Sequence, residues 1–262
     1  MLGKLIKHEF RATGRMILPM FAAVLIVSVL ARFAFRMLDS GLPIFLGLFL
    51  YFIVFAFFIG LIGAFIYTFV IMVVRFKRNI LSDEGYLTMT LPASIHSVLW
   101  SKIIVSIVWS AATVLVVGLG AVIAAFDASW VYDILKDLGY LAELFLSIDN
   151  KAQVIGWFFA AIVYVIVYSI TYCLNIYSCM AIGYGFARHK ALLSGAAFIA
   201  IGIVMSWVSG SELQYLAVMN DQVPFSVGFY QNFAVMLGTQ LFKGAVFYVI
   251  TWLNLKYRLN LE

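Results

Sequence analysis

Long apolar runs, two of them of more than about thirty residues without a charge, alternate with polar stretches along the chain. At about twenty apolar residues per crossing these runs give six spans, at 16–37, 42–74, 98–126, 154–187, 191–208 and 232–255. The second run is free of charge over 41–74 and the fourth over 152–187. Each is too long for one upright crossing and too short for two with a turn, which predicts one long helix that tilts or projects. Ten-residue segments of alternating polarity, the mark of an outer-membrane barrel, do not occur, so helices are the spanning structure. The fold class expected is all-α: one transmembrane domain over 1–262, with six spans.

Ahead of the first span, Leu2, Leu5, Ile6, Phe10, Thr13 and Ile17 fall on one helical face and Lys4, Lys7, His8, Arg11 and Arg15 on the other. This pattern predicts an interfacial helix over about 1–15, which anchors the N-terminus or touches a partner. The first apolar stretch lacks a small-residue cleavage site and reads as a retained span.

Composition removes the soluble alternative. Of 262 residues, 65% are hydrophobic and 11% charged, with a mean hydropathy of +1.06; an ordinary globular domain carries about 25% charged residues. Too few polar side chains remain to cover a water-soluble globule of this size. Charge then supplies orientation. Six spans put both termini on one side, and that side collects Lys4, Lys7, Arg11, Arg15, Arg75, Lys77, Arg78, Lys102, Arg188, Lys190, Lys256 and Arg258. The other side holds only Arg32, Arg36, Lys136 and Lys151, together with eight of the 12 acids. The basic side is expected to be cytoplasmic. The net charge of +5 then reflects topology and anionic lipid rather than a nucleic-acid partner.

The most informative connection is RFKRNILSDEGYLTMTLPASIHSVLWSKII, between the second and third spans. Ser82 followed by Asp83 and Glu84 reads as a helix cap with acids in the first turn; Pro92 ends that short helix and Ser94 caps the third span. Tyr86, Leu87, Met89 and Leu91 are more apolar than a solvated loop requires. The element therefore either lies on the membrane or docks into another protein.

These segments carry a resemblance. The N-terminal MLGKLIKHEFRATGRMILPM, the stretch SDEGYLTMTLPASIHSVLWSK and the six-span layout, with a long outer connection before the last helix, resemble bacterial permease subunits of the ABC-2 type. The likeness covers most of the chain in layout and is specific in those two segments. It implies that 1–15 is a connecting helix and that 79–91 is a short cytoplasmic coupling helix seated in an ATPase cleft, with Asp83, Glu84, Gly85, Tyr86 and Leu87 at its centre. It also implies outer re-entrant helices over 211–231, matched loosely, and a subunit contact along the fifth helix. The partners implied are ATPase subunits of the ATP-binding cassette type and a second permease subunit. The location implied is the bacterial cytoplasmic membrane, with both termini cytoplasmic.

Catalytic signatures are missing from the sequence. No G-x-x-x-x-G-K-[ST] loop occurs, so ATP and Mg are expected to belong to the partner ATPase, and the chain itself is not expected to be an enzyme. His8, His96 and His189 sit in separate segments without metal-ligand spacing. Cys173 and Cys179 say nothing of a disulfide framework or zinc site. No G-x-S-x-G and no acid pair within a span supports hydrolase or protease chemistry.

Polar residues inside spans are the remaining candidates, because lipid exposure is costly for them. Tyr164, Tyr168, Thr171, Tyr172, Asn175 and Ser178 form a stripe on the fourth span. Interhelical hydrogen bonding and the lining of a substrate path both account for it. Lys243, with Thr239 and Gln240 one turn before it, is the cation nearest the middle of a span and either snorkels or joins that path. Small residues recur at Ala56, Gly60 and Ala64, and again at Gly202, Ser206 and Gly210. Internal packing explains both seams, and the resemblance makes the second the expected dimer interface. Three functions follow in order: a permease subunit of an ATP-driven exporter for a hydrophobic or amphipathic substrate, a non-transporting membrane scaffold or sensor binding a cytoplasmic regulator, and an ion-coupled carrier.

Overall fold

The computed structural model describes residues 2–38, 43–81, 85, 94–125, 136–140, 143, 147, 151–186, 188–220 and 225–257, with the backbone alone over 211–220 and 225–231. Its helices are α1 (Leu2–Leu38), α2 (Ile44–Phe76), α3 (Ile95–Ala125), α4 (Lys151–Tyr184), α5 (Lys190–Asn220) and α6 (Phe225–Tyr257). A π-helical turn at Lys77–Leu81 prolongs α2. No strand occurs among the described residues. Among the described residues, six helices are long and apolar enough to cross a membrane. The protein is an all-α, multi-pass membrane protein.

The two charge-free runs are each one unbroken helix, α2 and α4. The amphipathic N-terminal stretch is not a separate element. It is the start of a 37-residue helix that passes through Pro19 and ends at Leu38. Lys102, counted above on the basic side, is the eighth residue of α3 and is buried. The backbone over 211–231 is helical on both sides of 221–224, where it continues α5 and begins α6.

The contacts divide the chain into two compact units. One comprises Ile6–Met72 and Val108–Ile155. Within it, α1 buries Thr13, Ile17, Phe21, Val24, Ser28 and Ala31 along one stripe. Trp109 of α3 is the anchor for this stripe: its indole Nε1 donates to Thr13 Oγ1 at 2.7 Å, and its ring lies 5.9 Å from Phe10 and 6.0 Å from Phe21 between centroids. A Cβ on Gly120 would lie 2.6 Å from Ser28 Oγ, so the absence of a side chain there lets α3 approach α1. Thr68 and Thr113 share a hydrogen bond of 2.9 Å between α2 and α3. Small residues and hydroxyls at helix contacts are the expected devices in lipid, where apolar surface alone does not drive helices together.

The second unit comprises Met1–Leu5, Val73–Ile107 and Gly156–Glu262. It contains the larger core, built from Phe76, Ile80, Leu81, Val98, Leu99 and Ile103 together with Leu174, Tyr177 and Met180 of α4. The α4–α5 connection is close: a Cβ on Gly183 would fall 2.6 Å from the Cα of Ser194, which only glycine permits. His189 adopts φ 56° just before α5 and so completes the reversal in a left-handed conformation that is uncommon for a residue with a side chain.

Candidate functional site

Two places in the second unit concentrate chemistry. The first is a cavity of about 150 Å³ between α4, α5 and α6. From α4 it takes Tyr168, Thr171, Tyr172 and Asn175. Met205 and Ser209 come from α5, and Gln240, Lys243 and Phe247 from α6. Periodicity explains the α4 set: positions 168, 171, 172 and 175 repeat at three and four residues and so share a face.

Lys243 is the centre of this arrangement. It is 6% exposed and lies eleven residues into a span that runs from Asn232 to Tyr257, about 16 Å along the axis from the start. Its Nζ donates to Ser209 Oγ at 3.3 Å. The ammonium is held among side chains near the middle of the helix. Thr171 Oγ1 donates to the Gln240 carbonyl at 3.1 Å, which joins α4 to α6 beside the cation. A Cβ on Gly244 would reach Thr171 Oγ1 at 3.0 Å, so this glycine permits the close approach. Asn175 accepts at its carbonyl from Ser178 and at Oδ1 from Cys179 Sγ.

Of the polar residues singled out from sequence, Tyr168, Thr171, Tyr172, Asn175, Gln240 and Lys243 line this cavity. Tyr164 does not; it stacks on Tyr168 with centroids 6.2 Å apart. Thr239 also turns away and donates to its own helix at the Val235 and Met236 carbonyls. Ser209, Met205 and Phe247 were missed. Nothing in sequence links Ser209 to a lysine thirty-four residues later; only helix packing does.

The second place is the basic end of the same unit. Phe76, fully buried, lies parallel to the Tyr177 ring at 3.9 Å and an interplanar angle of 5°, and Tyr177 Oη shares a hydrogen bond of 2.8 Å with Ser106. The π turn that follows Phe76 inserts Ile80 and Leu81 into this core and holds Lys77 Nζ 5.8 Å from the Tyr184 ring. Of the expected coupling residues, Asp83, Glu84, Tyr86 and Leu87 lie outside the described residues. Gly85 is described and buried, and a Cβ there would collide with the Ile80 carbonyl, so glycine is required at that point. On α3 and α6, His96 hydrogen-bonds to Tyr248 through Nδ1 and stacks on Trp252 at 5.9 Å, while Lys256 sits 4.8 Å over the Trp252 ring.

Gly202, Ser206 and Gly210 lie on an exposed face of α5. A Cβ on either glycine would meet nothing within 4 Å. Among the described residues no group of three or more His, Cys, Asp or Glu is placed to hold a metal ion. No protein-family model, curated protein or solved structure matches the chain.

Proposed function

We propose that the chain is the membrane-spanning permease subunit of an ATP-binding cassette exporter for a hydrophobic or amphipathic substrate, working with separate ATPase subunits and a second permease subunit. The observation that carries this reading is the anchoring on either side of the connection between α2 and α3. Ile80 and Leu81 precede it, Val98, Leu99 and Ile103 follow it, and all five share one core with Tyr177 of α4. A partner that moves the connection therefore acts on three helices together. π turns are rare, and many of those known lie at functional sites; this one abuts the connection. ATP binding would favour closed ATPases and, through the connection, bias the spans between two populations. The exposed small-residue seam of α5 offers the second subunit a surface of close approach.

In this reading the basic end faces the cytoplasm of a bacterial cell. A cysteine introduced at Gly139 is then expected to react with an impermeant reagent on intact cells, and one at Asn79 or His189 is not. External labelling at Asn79 would reject the orientation. The functional test is ATP hydrolysis. The isolated chain is expected to have none, and a copurifying ATPase subunit is expected to supply all of it and to be stimulated by the chain. A scaffold would neither bind nor stimulate an ATPase, and hydrolysis by the isolated chain would refute the division of labour.

A further inference from the structure

Pro19 lies inside the 37-residue α1, near its midpoint. It has no N–H to give the Arg15 carbonyl four residues back, and its ring crowds that carbonyl, so a bend at this level is the ordinary outcome. Pro19 itself is exposed, and a helix bends convex toward its outer face, which here means toward the side where α3 packs. On that inner side Trp109 of α3, itself buried, meets α1 both before and after the proline. Before it, the indole Nε1 donates to Thr13 Oγ1 at 2.7 Å, the ring lies 5.9 Å from that of Phe10, and a Cβ on Gly14 would come 3.4 Å from Trp109 Cζ2. After it, the same indole lies 6.0 Å from the Phe21 ring. A third helix contributes: Tyr67 Oη of α2 donates to the Met16 carbonyl at 3.4 Å, within the turn that the proline weakens, as neighbouring helices do where a proline interrupts a span. All these residues belong to the unit comprising Ile6–Met72 and Val108–Ile155.

We propose that Trp109 is a splint, which keeps the two halves of α1 collinear across Pro19 and so joins the amphipathic start of the helix to the first span. Thr13 is the fixing point because its hydroxyl works in both directions. It accepts from the indole and donates to the Glu9 carbonyl at 2.7 Å, so the N-terminal half is tied through its own backbone to α3. Phe21 provides the matching contact on the other half. Proline is the hinge and tryptophan the lock: with the indole in place the weakened turn stays straight, and without it α1 folds toward the space the ring leaves. The inference depends on no partner and no transport, so its failure and the failure of the permease reading are distinguishable.

The test uses the full chain in nanodiscs, with Cys173 and Cys179 replaced by Ala and nitroxide labels on pairs of introduced cysteines, whose separations are read by pulsed electron paramagnetic resonance. Lys7 and Val70, both exposed, report the N-terminal half of α1 against α2. Val29 and Phe58, also exposed, report the other half against the same helix. The stretch from Lys7 to Pro19 is about 18 Å of helix, so a bend of about 20° displaces Lys7 by about 6 Å. The expected result is a narrow Lys7–Val70 distribution in the parent. Trp109→Ala is expected to broaden or shift it by about 6 Å and to leave Val29–Phe58 unchanged, and adding Pro19→Ala is expected to restore the parent width. Trp109→Phe keeps a ring but loses the bond to Thr13. It is expected to give a smaller broadening, again removed by Pro19→Ala, and it carries the test should Trp109→Ala fail to fold. An unchanged Lys7–Val70 distribution in the Trp109 variants would overturn the splint. Broadening that persists with Pro19→Ala would take the hinge away from the proline, and equal broadening of both pairs would make Trp109 a general anchor of the fold; either result would overturn the proposal.

Discussion

Phe76→Ala is expected to destabilise the protein by about 3 kcal/mol, the lower end of the range for a buried Phe→Ala change. The low end applies because the unfolded reference in lipid is still a set of inserted helices, so little transfer from water is lost and the cavity term dominates. That term is large here. Phe76 is fully enclosed, its ring covers that of Tyr177 at 3.9 Å, and it lies at the junction between α2 and the π turn, where the core offers no free chain end to collapse inward. Phe242, 71% exposed, is the control; its replacement by Ala is expected to change stability by less than about 0.5 kcal/mol. Equilibrium unfolding in mixed micelles measures both. Equal stability of the Phe76 and Phe242 variants would show that the stack holds nothing together. Tyr177→Phe, which removes only the hydroxyl bonded to Ser106, is expected to cost about 0.6 kcal/mol and no more than about 1.7.

The second large effect is expected in the connection between α2 and α3. Tyr86→Ala together with Glu84→Lys is expected to abolish ATPase association or transport while expression and the spans persist. A partner cleft that buried Tyr86 and Leu87 and paired the two acids with basic groups would make the tyrosine an interface anchor, and truncating such an aromatic commonly costs about 2 kcal/mol or more. Reversal of charge at Glu84 adds repulsion against the same cleft. If the element lay on the membrane instead, Glu84→Lys would strengthen its attraction to anionic lipid and leave ATPase contact untouched. Copurification of the ATPase at wild-type permease levels decides the matter. Full recovery of association and transport by the double variant would remove the coupling role. It would also remove the strongest residue-level support for a permease.

The helices were legible because the signal for a span is long and one-dimensional. Charge-free runs as long as 41–74 admit one reading once length is compared with bilayer thickness. The stripe on α4 was legible for the same reason, since Tyr168, Tyr172 and Asn175 recur at the helical period. What faces a stripe is set by packing between helices distant in sequence, and no single-chain pattern encodes it. Ser209 beside Lys243 and Thr13 beside Trp109 are both of this kind. The amphipathic start of α1 looked separate because its periodicity differs from that of the span, but a change of polarity is not a break in backbone hydrogen bonding.

That continuity makes α1 a mechanical beam. At 37 residues it is about 55 Å long, against an apolar bilayer thickness of about 30 Å. A pivot near its middle would leave some 25 Å of arm on either side, so a tilt of roughly 10° would carry the N-terminal end about 4 Å sideways. A tilt of the first span about such a pivot would be carried to Lys7 at equal amplitude, without passing through any loop.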